Sequence, residues 1–576
     1  MATPARAQYP RAEIEGGLPP DLRDAIATGV TQSETPARSR LEARRRAREA
    51  SEDAEEILRS EGYYGYQLDA DVRAGEPPVG VVKIDPGPRF YLTDPAIEWR
   101  ETPPAPDARK QAHDALQIQA GDPARAADVI AAEGRVIARL QDVGYADAVA
   151  APRRVVVDHA TTAVSPTFRI VAGQLVRLDG VEVAGRTRTS LAWLQRLAPW
   201  RSGEVYAPDD VAELERRLLD TGVYETVTVA LSPREKTTAE GLRPVVVSLS
   251  DRPRWTVEVG ARYATTDGVG VDARWTRYNV LRRADTLQVT GRASTLDSRL
   301  GAEVSLPHWR RPQQTLDLGV EGYRTRTDAF GETGAGVRAS LTRRFGRTSY
   351  LTWGGALDYS EVEQVRAGEV SQLGRSLITA AGLAALSLDR SDDPLDPTRG
   401  WRAQGRAEPT VISGDETLAY VRLQGQASAY LPLGENARTV LAARLRLGGI
   451  AGGKLPQVPA SERFYAGGGG SVRGFGYQAV GPRLPDNTPR GGLSLVEASI
   501  EARQQITDRW GVVAFLDAGS VGARQVPGLD DVGIGAGLGA RYDLGFGPIR
   551  ADIAFPLTRK RGGESFQVYL SIGQSF

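Results

Sequence analysis

The most distinctive residues of this chain form a glycine-rich segment with one arginine in its middle. Residues 464–476 read Phe-Tyr-Ala-Gly-Gly-Gly-Gly-Ser-Val-Arg-Gly-Phe-Gly, so Arg473 lies between small and apolar residues. A loop in solvent would carry mixed polar residues, and we therefore expect this segment to pack inside the protein. An arginine in such surroundings needs a carboxylate, because an unpaired buried charge is very costly. The chemistry that this pattern predicts is charge-assisted hydrogen bonding.

Two carboxylates that follow the segment are its candidate partners. Glu501 lies on the polar face of one alternating run, and Asp517 lies in the run Phe515–Gly519, opposite apolar neighbours. Side chains of a strand alternate between its two faces, so Glu501 shares its face with Ser499, Arg503 and Gln505, and Asp517 lies opposite Leu516 and Ala518. We predict that Arg473 pairs with Asp517 or Glu501. A flexible glycine-rich loop in solvent is the alternative interpretation.

Catalytic and metal-binding motifs are nearly absent. His113, His159 and His308 have no paired spacing, and there is no P-loop. Gly535–Ala540 fits the GxGxxG/A pattern, but no helix follows to bind a pyrophosphate. In residues 391–400, SDDPLDPTRG, three aspartates could indicate calcium, but two prolines interrupt their spacing and a tight turn is favoured. We predict no enzymatic activity, no cofactor and no metal.

The elements that must position these residues are β-strands, which begin after about Asp251. Apolar and polar residues alternate there in runs of about 10–13, longer than the roughly 5–6 residues of globular strands and close to the 9–11 of membrane strands. A soluble sandwich would alternate as well, but in shorter strands. An even number of strands is expected of single-chain bacterial barrels. We predict a membrane β-barrel of 16 antiparallel strands, starting near 254, 268, 283, 298, 313, 333, 348, 374, 400, 417, 436, 492, 510, 533, 547 and 564.

Composition excludes several classes of protein. The 72 basic and 72 acidic residues give no net charge, which argues against a nucleic-acid-binding protein. No run of about 18 apolar residues is present, as a membrane-spanning helix would require. The absence of cysteine excludes disulfides and cysteine chemistry. Ala5-Arg-Ala7 is similar to the end of a signal peptide, so we expect a mature chain with its signal removed; a cytosolic N-terminus is the alternative.

Before the strands, three similar segments indicate an internal repeat. Each is an amphipathic helix closed by a glycine, Gly62, Gly144 or Gly222, and followed by a short alternating run. Glycine suits the left-handed residue that ends many helices. The spacings, 144 − 62 = 82 and 222 − 144 = 78, give a repeat of about 80 residues. We predict three small α+β modules; a chance series of helix ends is the alternative.

These motifs together resemble the POTRA-barrel outer-membrane assembly superfamily, the bacterial surface antigen family that includes BamA and TamA. Residues 469–475 resemble its VRGF motif, Phe515–Gly519 its FxDxG strand, and the turn Pro397–Trp401 and terminal Phe576 also fit. The repeats resemble POTRA modules, and three of them favour a TamA-like member. The resemblance implies POTRA modules at residues 1–88, 89–173 and 174–251, and a barrel at 252–576 with a loop, about 450–491, folded into its lumen.

The resemblance also implies roles for individual residues. The VRGF loop would lie in the lumen beside the FxDxG strand, with Asp517 as the partner of Arg473 and Glu501 as a less secure one. The terminal aromatic residues would form a C-terminal signal. The implied residues are Val472, Arg473, Gly474 and Phe475 in the loop, Phe515, Asp517 and Gly519 in the strand motif, Glu501 as a further lumen partner, and Phe566, Tyr569 and Phe576 at the C-terminus.

The function implied by the resemblance is assembly of outer-membrane proteins without covalent chemistry. Client barrels such as autotransporters would pair with a seam between the first and last strands, in the outer membrane, with the modules in the periplasm. The implied partners are a TamB-like protein anchored in the inner membrane, unfolded clients, and outer-membrane lipid and lipopolysaccharide. The alternatives are a BamA-type core insertase, a two-partner secretion transporter that exports one protein, a passive porin and a barrel enzyme.

Overall fold

The computed structural model describes residues 11–30, 35–264, 268–346, 348–364, 371–434, 437–545, 548–558 and 565–572. The predicted signal-peptide remnant at Ala5–Ala7 and the terminal Phe576 lie outside these residues. The chain divides into two compact units. The first contains the residues up to Ala184 together with 198–216 and 228–248, and the second contains 185–197, 217–227 and the residues from Leu249 onward.

Six α-helices lie in the described part of the N-terminal 250 residues. The predicted closing glycines follow three of them, and Gly62, Gly144 and Gly222 all have positive φ, as a left-handed helix end requires. No helix in the described part of the chain is long and apolar enough to cross a membrane. The helices are α1 (Pro20–Gly29), α2 (Arg40–Ser60), α3 (Pro106–Asp114), α4 (Ala126–Asp142), α5 (Leu191–Leu197) and α6 (Pro208–Leu219).

Ten strands accompany these helices in three small sheets. The strands are β1 (Glu13–Glu15), β2 (Gln67–Arg73), β3 (Val79–Asp85), β4 (Tyr91–Leu92), β5 (Ala96–Trp99), β6 (Val149–Asp158), β7 (Ala163–Val171), β8 (Arg177–Ala184), β9 (Tyr224–Leu231) and β10 (Leu242–Asp251). In each sheet the last strand, β3, β7 or β10, lies in the middle. It pairs in parallel with the strand or strands that open the same segment. The three small sheets therefore share one order of pairing.

The rest of the chain forms a 16-stranded antiparallel sheet, which confirms the predicted barrel. Predicted and observed strand starts differ by at most three residues, for example 283 against 286. The strands are β11 (Trp255–Ala264), β12 (Gly268–Tyr278), β13 (Thr286–Ser294), β14 (Asp297–Leu306), β15 (Gln314–Arg326), β16 (Gly331–Phe345), β17 (Ser349–Gln364), β18 (Ser376–Asp389), β19 (Gly400–Ser413), β20 (Thr417–Leu433), β21 (Thr439–Ala451), β22 (Ser494–Gln505), β23 (Trp510–Gly522), β24 (Gly533–Asp543), β25 (Pro548–Pro556) and β26 (Gln567–Ile572).

Alternation along these strands separates an apolar outer face from a polar inner face. Val259 on β11, Leu300 on β14 and Leu538 on β24 are all more than 60% exposed, as expected of side chains that face lipid. Strands β16 to β20 have 14 to 17 residues, more than the predicted 10–13. They are therefore longer than the roughly 9–11 residues that a strand needs to cross a bilayer. Within the described residues, ladders join each strand to the next from β11 to β26, and these two end strands approach within 8 Å between Cα atoms.

Candidate functional site

The glycine-rich segment belongs to the long connection between β21 and β22. This connection is folded rather than extended: a 3-10 turn at Ala460–Glu462 and isolated bridges such as Phe464 with Gly492 shape it. Val472 is fully buried in a cluster with Val480, Leu495 and Val521. Apolar burial of the segment explains how it can hold an arginine away from solvent, and the segment does not have the structure of a flexible loop in solvent.

Arg473 is 2% exposed and lies among three buried carboxylates. Its Nε and Nη2 donate to the two oxygens of Asp517 at 2.7 and 2.9 Å, a bidentate arrangement, and its backbone N–H donates to the same carboxylate at 3.0 Å. Its Nη1 lies 2.7 Å from Glu501 Oε1 and 3.3 Å from Asp552 Oδ2. Both carboxylates that the sequence offered as alternatives therefore contact the same guanidinium, together with a third.

Each named residue of the FxDxG segment contacts the loop in a different way. The ring of Phe515 lies under the guanidinium of Arg473, 3.5 Å from ring centre to Cζ, where the π-face attracts a cation. Asp517 accepts the hydrogen bonds described above. A Cβ at Gly519 would lie 2.5 Å from Val472 Cγ2, so only glycine lets the loop approach this strand. The spacing of the motif thus places three complementary features along one face of β23.

Asp552 is the lumen carboxylate that sequence reasoning missed. It lies on β25, is buried, and accepts a short hydrogen bond from Arg541 on β24 in addition to its contact with Arg473. The signal that could have found it is alternation, because Arg550 and Asp552 share the polar face of their run. The two predicted partners lie on the two strands that directly follow the loop, and β25 comes later in the chain.

Further hydrogen bonds hold the tip of the loop. Arg444 on β21 donates to the carbonyl oxygens of Gly470 and Ser471 at 3.3 and 3.1 Å, and the Ser471 hydroxyl donates to Glu497 on β22. Tyr569 on β26 contacts the backbone at Gly474. The segment that contains Arg473 is consequently fixed to residues of β21, β22, β23, β25 and β26.

The remaining predicted site residues have separate positions. Phe475 is half-buried, and a Cβ at Gly533 would lie 3.3 Å from its ring. Phe566 is 53% exposed and packs near Phe555, whereas Tyr569 is 3% exposed and faces the loop. The two aromatic residues grouped as a C-terminal signal thus point to opposite sides of the sheet.

The aspartates between β18 and β19 shape a turn. Asp392 accepts hydrogen bonds from the backbone N–H groups of Thr398 and Arg399, and Asp393 accepts them from Leu395 and Asp396. Among the described residues, no group of His, Cys, Asp and Glu has the arrangement of a metal site. The carboxylates of Asp392 and Asp393 are therefore occupied by the backbone of their own turn.

The chemistry of the site is the mutual neutralisation of buried charges. Removing one partner from a buried ion pair leaves an uncompensated charge, which costs about 3–5 kcal/mol. Arg503 donates to Glu501 at 2.9 Å, Arg541 donates to Asp552, and Arg550 Nε lies 3.5 Å from Asp552 Oδ2. The site can therefore fix the loop against the inner face of the barrel.

Comparison with known proteins matches this architecture. Residues 279–576 match the Omp85 superfamily domain, and residues 11–86 match the first POTRA domain of TamA. BamA of Neorickettsia risticii is 22% identical over 428 residues, 71% of this chain and 56% of the relative. BamA of Neisseria meningitidis serogroup B is 23% identical over 519 residues, 82% of this chain and 62% of the relative. The chain thus spans about three-fifths of the length of these curated relatives.

A solved structure has the same fold. BamA from Haemophilus ducreyi lacking POTRA domains 1–3 superposes with a TM-score of 0.69 at 18% identity, covering 83% of this chain and 99% of that structure. The Omp85 match extends over more than half of the 576 residues, and the TamA-type match covers the segment that folds as the first small sheet. The chain belongs to the Omp85 superfamily and carries a TamA-type POTRA domain at its N-terminal end.

Proposed function

We propose that this protein assembles client β-barrel proteins in the bacterial outer membrane. Its relatives are named outer membrane protein assembly factors, and its barrel carries an apolar outer face suited to lipid. The small α+β sheets would lie in the periplasm as POTRA modules, at 1–88, 89–173 and 174–251. Clients would include autotransporters, and the barrel would be surrounded by outer-membrane lipid and lipopolysaccharide. No step of this function requires a covalent reaction.

The observation that carries the proposal is the pair of end strands. β11 and β26 are the two ends of the described ladder, and they approach each other within 8 Å between Cα atoms. A weakly paired edge can accept an incoming strand, which gains backbone hydrogen bonds that lipid cannot supply. Client strands would therefore form at this seam, between β11 and β26.

A disulfide across the seam tests this proposal. The chain has no cysteine, so a single pair can be introduced into the full-length protein, one cysteine on β11 and one on β26, with Cβ atoms about 3.5–4.5 Å apart. We expect the oxidised protein, reconstituted in lipid vesicles, to lose insertion of an urea-unfolded outer-membrane barrel client and to regain it after reduction. A control pair, Thr276→Cys with Gln288→Cys, bridges register partners on β12 and β13 and should not affect insertion. Unchanged insertion with the seam oxidised would contradict the proposal.

The match of the N-terminal segment to a TamA POTRA domain favours a TamA-like role, in which the protein would work with a TamB-like partner. A BamA-type core insertase remains the second candidate, because the curated relatives carry that name. The arginine-rich helix α2 does not resemble the plug of a two-partner secretion transporter. Its alanine face, including Ala47 and Ala54, is fully buried, and α2 packs on β2 and β3 of its own module.

A further inference from the structure

Tyr569 connects the last strand of the barrel to the lumen loop. Its side chain is 3% exposed, and its hydroxyl accepts a hydrogen bond from Gly474 N–H at 3.1 Å. The same hydroxyl donates to the carbonyl oxygen of Phe475 at 3.2 Å. A Cβ at Gly469 would lie 2.8 Å from the ring, so the glycine tip fits closely against it. One hydroxyl thus satisfies a backbone donor and a backbone acceptor on either side of one peptide.

The position of Tyr569 in the sheet relates this contact to Arg473. Tyr569 on β26 is the register partner of Asp552 on β25, and Asp552 contacts Arg473. Consecutive loop residues therefore bind neighbouring strands: Arg473 binds β25 through its guanidinium, and Gly474 binds β26 through its backbone. Gly474 has φ +94°, a conformation that L side chains rarely adopt, and this conformation orients its N–H toward Tyr569.

We propose that Tyr569 is a latch that holds β26 against the lumen loop and so limits separation of the seam. β26 is one end of the described ladder, where it pairs with β25. Moving β26 away from the lumen loop requires the hydroxyl of Tyr569 to leave Gly474 and Phe475, so opening of the seam is coupled to the loop. The predicted effect of the latch on client insertion rests on the proposed function. Tyr569 is a positioning residue, since it acts through the strand that carries it.

Hydrogen exchange measures the latch without reference to clients. The variant Tyr569→Phe keeps the ring and removes the hydroxyl, leaving the N–H and the carbonyl without their shared partner. We expect the amides of β26 and of residues 466–475 to exchange about tenfold faster in the full-length protein in lipid, since loss of a buried hydrogen bond corresponds to roughly one factor of ten. Amides of β16 to β18 should keep their wild-type rates.

Tyr430→Phe is the matched control. Tyr430 on β20 is 4% exposed, and its hydroxyl has no hydrogen-bond partner among the described residues. Its variant should leave β26 exchange unchanged. Wild-type exchange of β26 in Tyr569→Phe would overturn the latch, as would an equal rise in Tyr430→Phe. If Tyr569→Leu raises exchange while Tyr569→Phe does not, ring packing and not the hydroxyl holds the strand, which also overturns it.

Client insertion is measured separately on the same variants. Faster β26 exchange with faster insertion in Tyr569→Phe supports both the latch and insertion at the seam. Faster exchange with unchanged insertion supports the latch and contradicts the proposed function. Failure of the latch and failure of the proposed function are therefore distinguishable. Hydrogen exchange tests the contact of Tyr569 with the loop, and client insertion tests whether the seam is used for assembly.

Discussion

At the scale of single residues, Arg473 differs from the simple ion pair that the sequence predicts. The sequence identified the arginine, Asp517 and Glu501, because their apolar surroundings and alternation are local properties. It could not identify Asp552, since that contact depends on the register of β25 and on the path of a loop 79 residues earlier. The result is one guanidinium shared by three carboxylates, which changes how the site responds to mutation.

Loss of either partner should destabilise the barrel. We expect Arg473→Ala to lower its stability by roughly 3–5 kcal/mol, because it leaves buried carboxylates uncompensated. Asp517→Ala should lower the stability less, because Glu501 and Asp552 still contact the guanidinium. The measurement is the temperature at which the folded band unfolds in a heat-modifiability gel. Arg338→Ala is the control, since Arg338 and Glu303 form a partly exposed lumen pair, for which about 0–1 kcal/mol is expected.

Swapping the charges at positions 473 and 517 distinguishes a simple ion pair from a guanidinium shared by three carboxylates. A simple pair would be restored by combining Arg473→Asp with Asp517→Arg. In the structure the new carboxylate at 473 would lie beside Glu501 and Asp552, so we expect the double variant to be no more stable than the single ones. Recovery of wild-type stability would show that the third carboxylate is unimportant.

At the scale of elements, alternation and closing glycines predicted most of the fold. Strand starts and helix ends are local in sequence, and the period of two identifies the strands. The central position of β3, β7 and β10 in their sheets was not predictable in this way, because it depends on parallel pairing between strands distant in sequence. The contacts that connect one repeat to the next are likewise set by tertiary packing.

The ion pair of Asp147 with Arg243 is such a contact, within the first compact unit. Asp147 follows α4, and Arg243, 2% exposed on β10, donates to it through Nη1 and Nη2 at 2.8 and 2.6 Å. The hydrogen-bonded Arg243 guanidinium holds the pKa of the Asp147 carboxyl below its usual range. Stability from this group is therefore present above the usual aspartate pKa of about 4 and is lost as the pH falls through the lowered value.

Asp147→Asn should consequently be less stable than wild type at pH 7 and approach it below about pH 4. Pulsed hydrogen exchange of the peptide 237–251, after equilibration at each pH in a fixed concentration of urea, measures this difference in the full-length protein. Glu182→Gln is the control, because its pair with Lys236 is half-exposed and should contribute little. Equal protection of wild type and Asp147→Asn at pH 7 would contradict the interpretation.

At the scale of the whole molecule, the net charge of zero is a sum over two units that arrange their charged residues differently. In the barrel, Arg473 and its partners neutralise one another on the inner face. The modules contain exposed pairs, such as Arg45 with Glu49, as well as the pair of Asp147 with the buried Arg243. The family could be predicted from the sequence because the residues of its VRGF and FxDxG motifs are close together in sequence and are fixed by their contacts with one another. The partner could not, since recognition surfaces carry no comparable motif.

Co-purification distinguishes the two assembly functions. We expect the full-length protein in detergent to form a stable complex with a purified TamB-like protein and not with lipoproteins of a BamA-type complex, as a TamA-like role requires. Size-exclusion chromatography of the mixtures measures complex formation. A complex formed only with the lipoproteins would favour the BamA-type alternative.

The folded loop on the inner face also bears on the permeability of the outer membrane. A barrel of sixteen strands is wide enough to leave an aqueous channel if its interior is empty. Here the connection between β21 and β22 is fixed to five strands from the inside, so the space available to small solutes is reduced. We therefore expect the residues that stabilise the loop to restrict the passage of small solutes through the barrel.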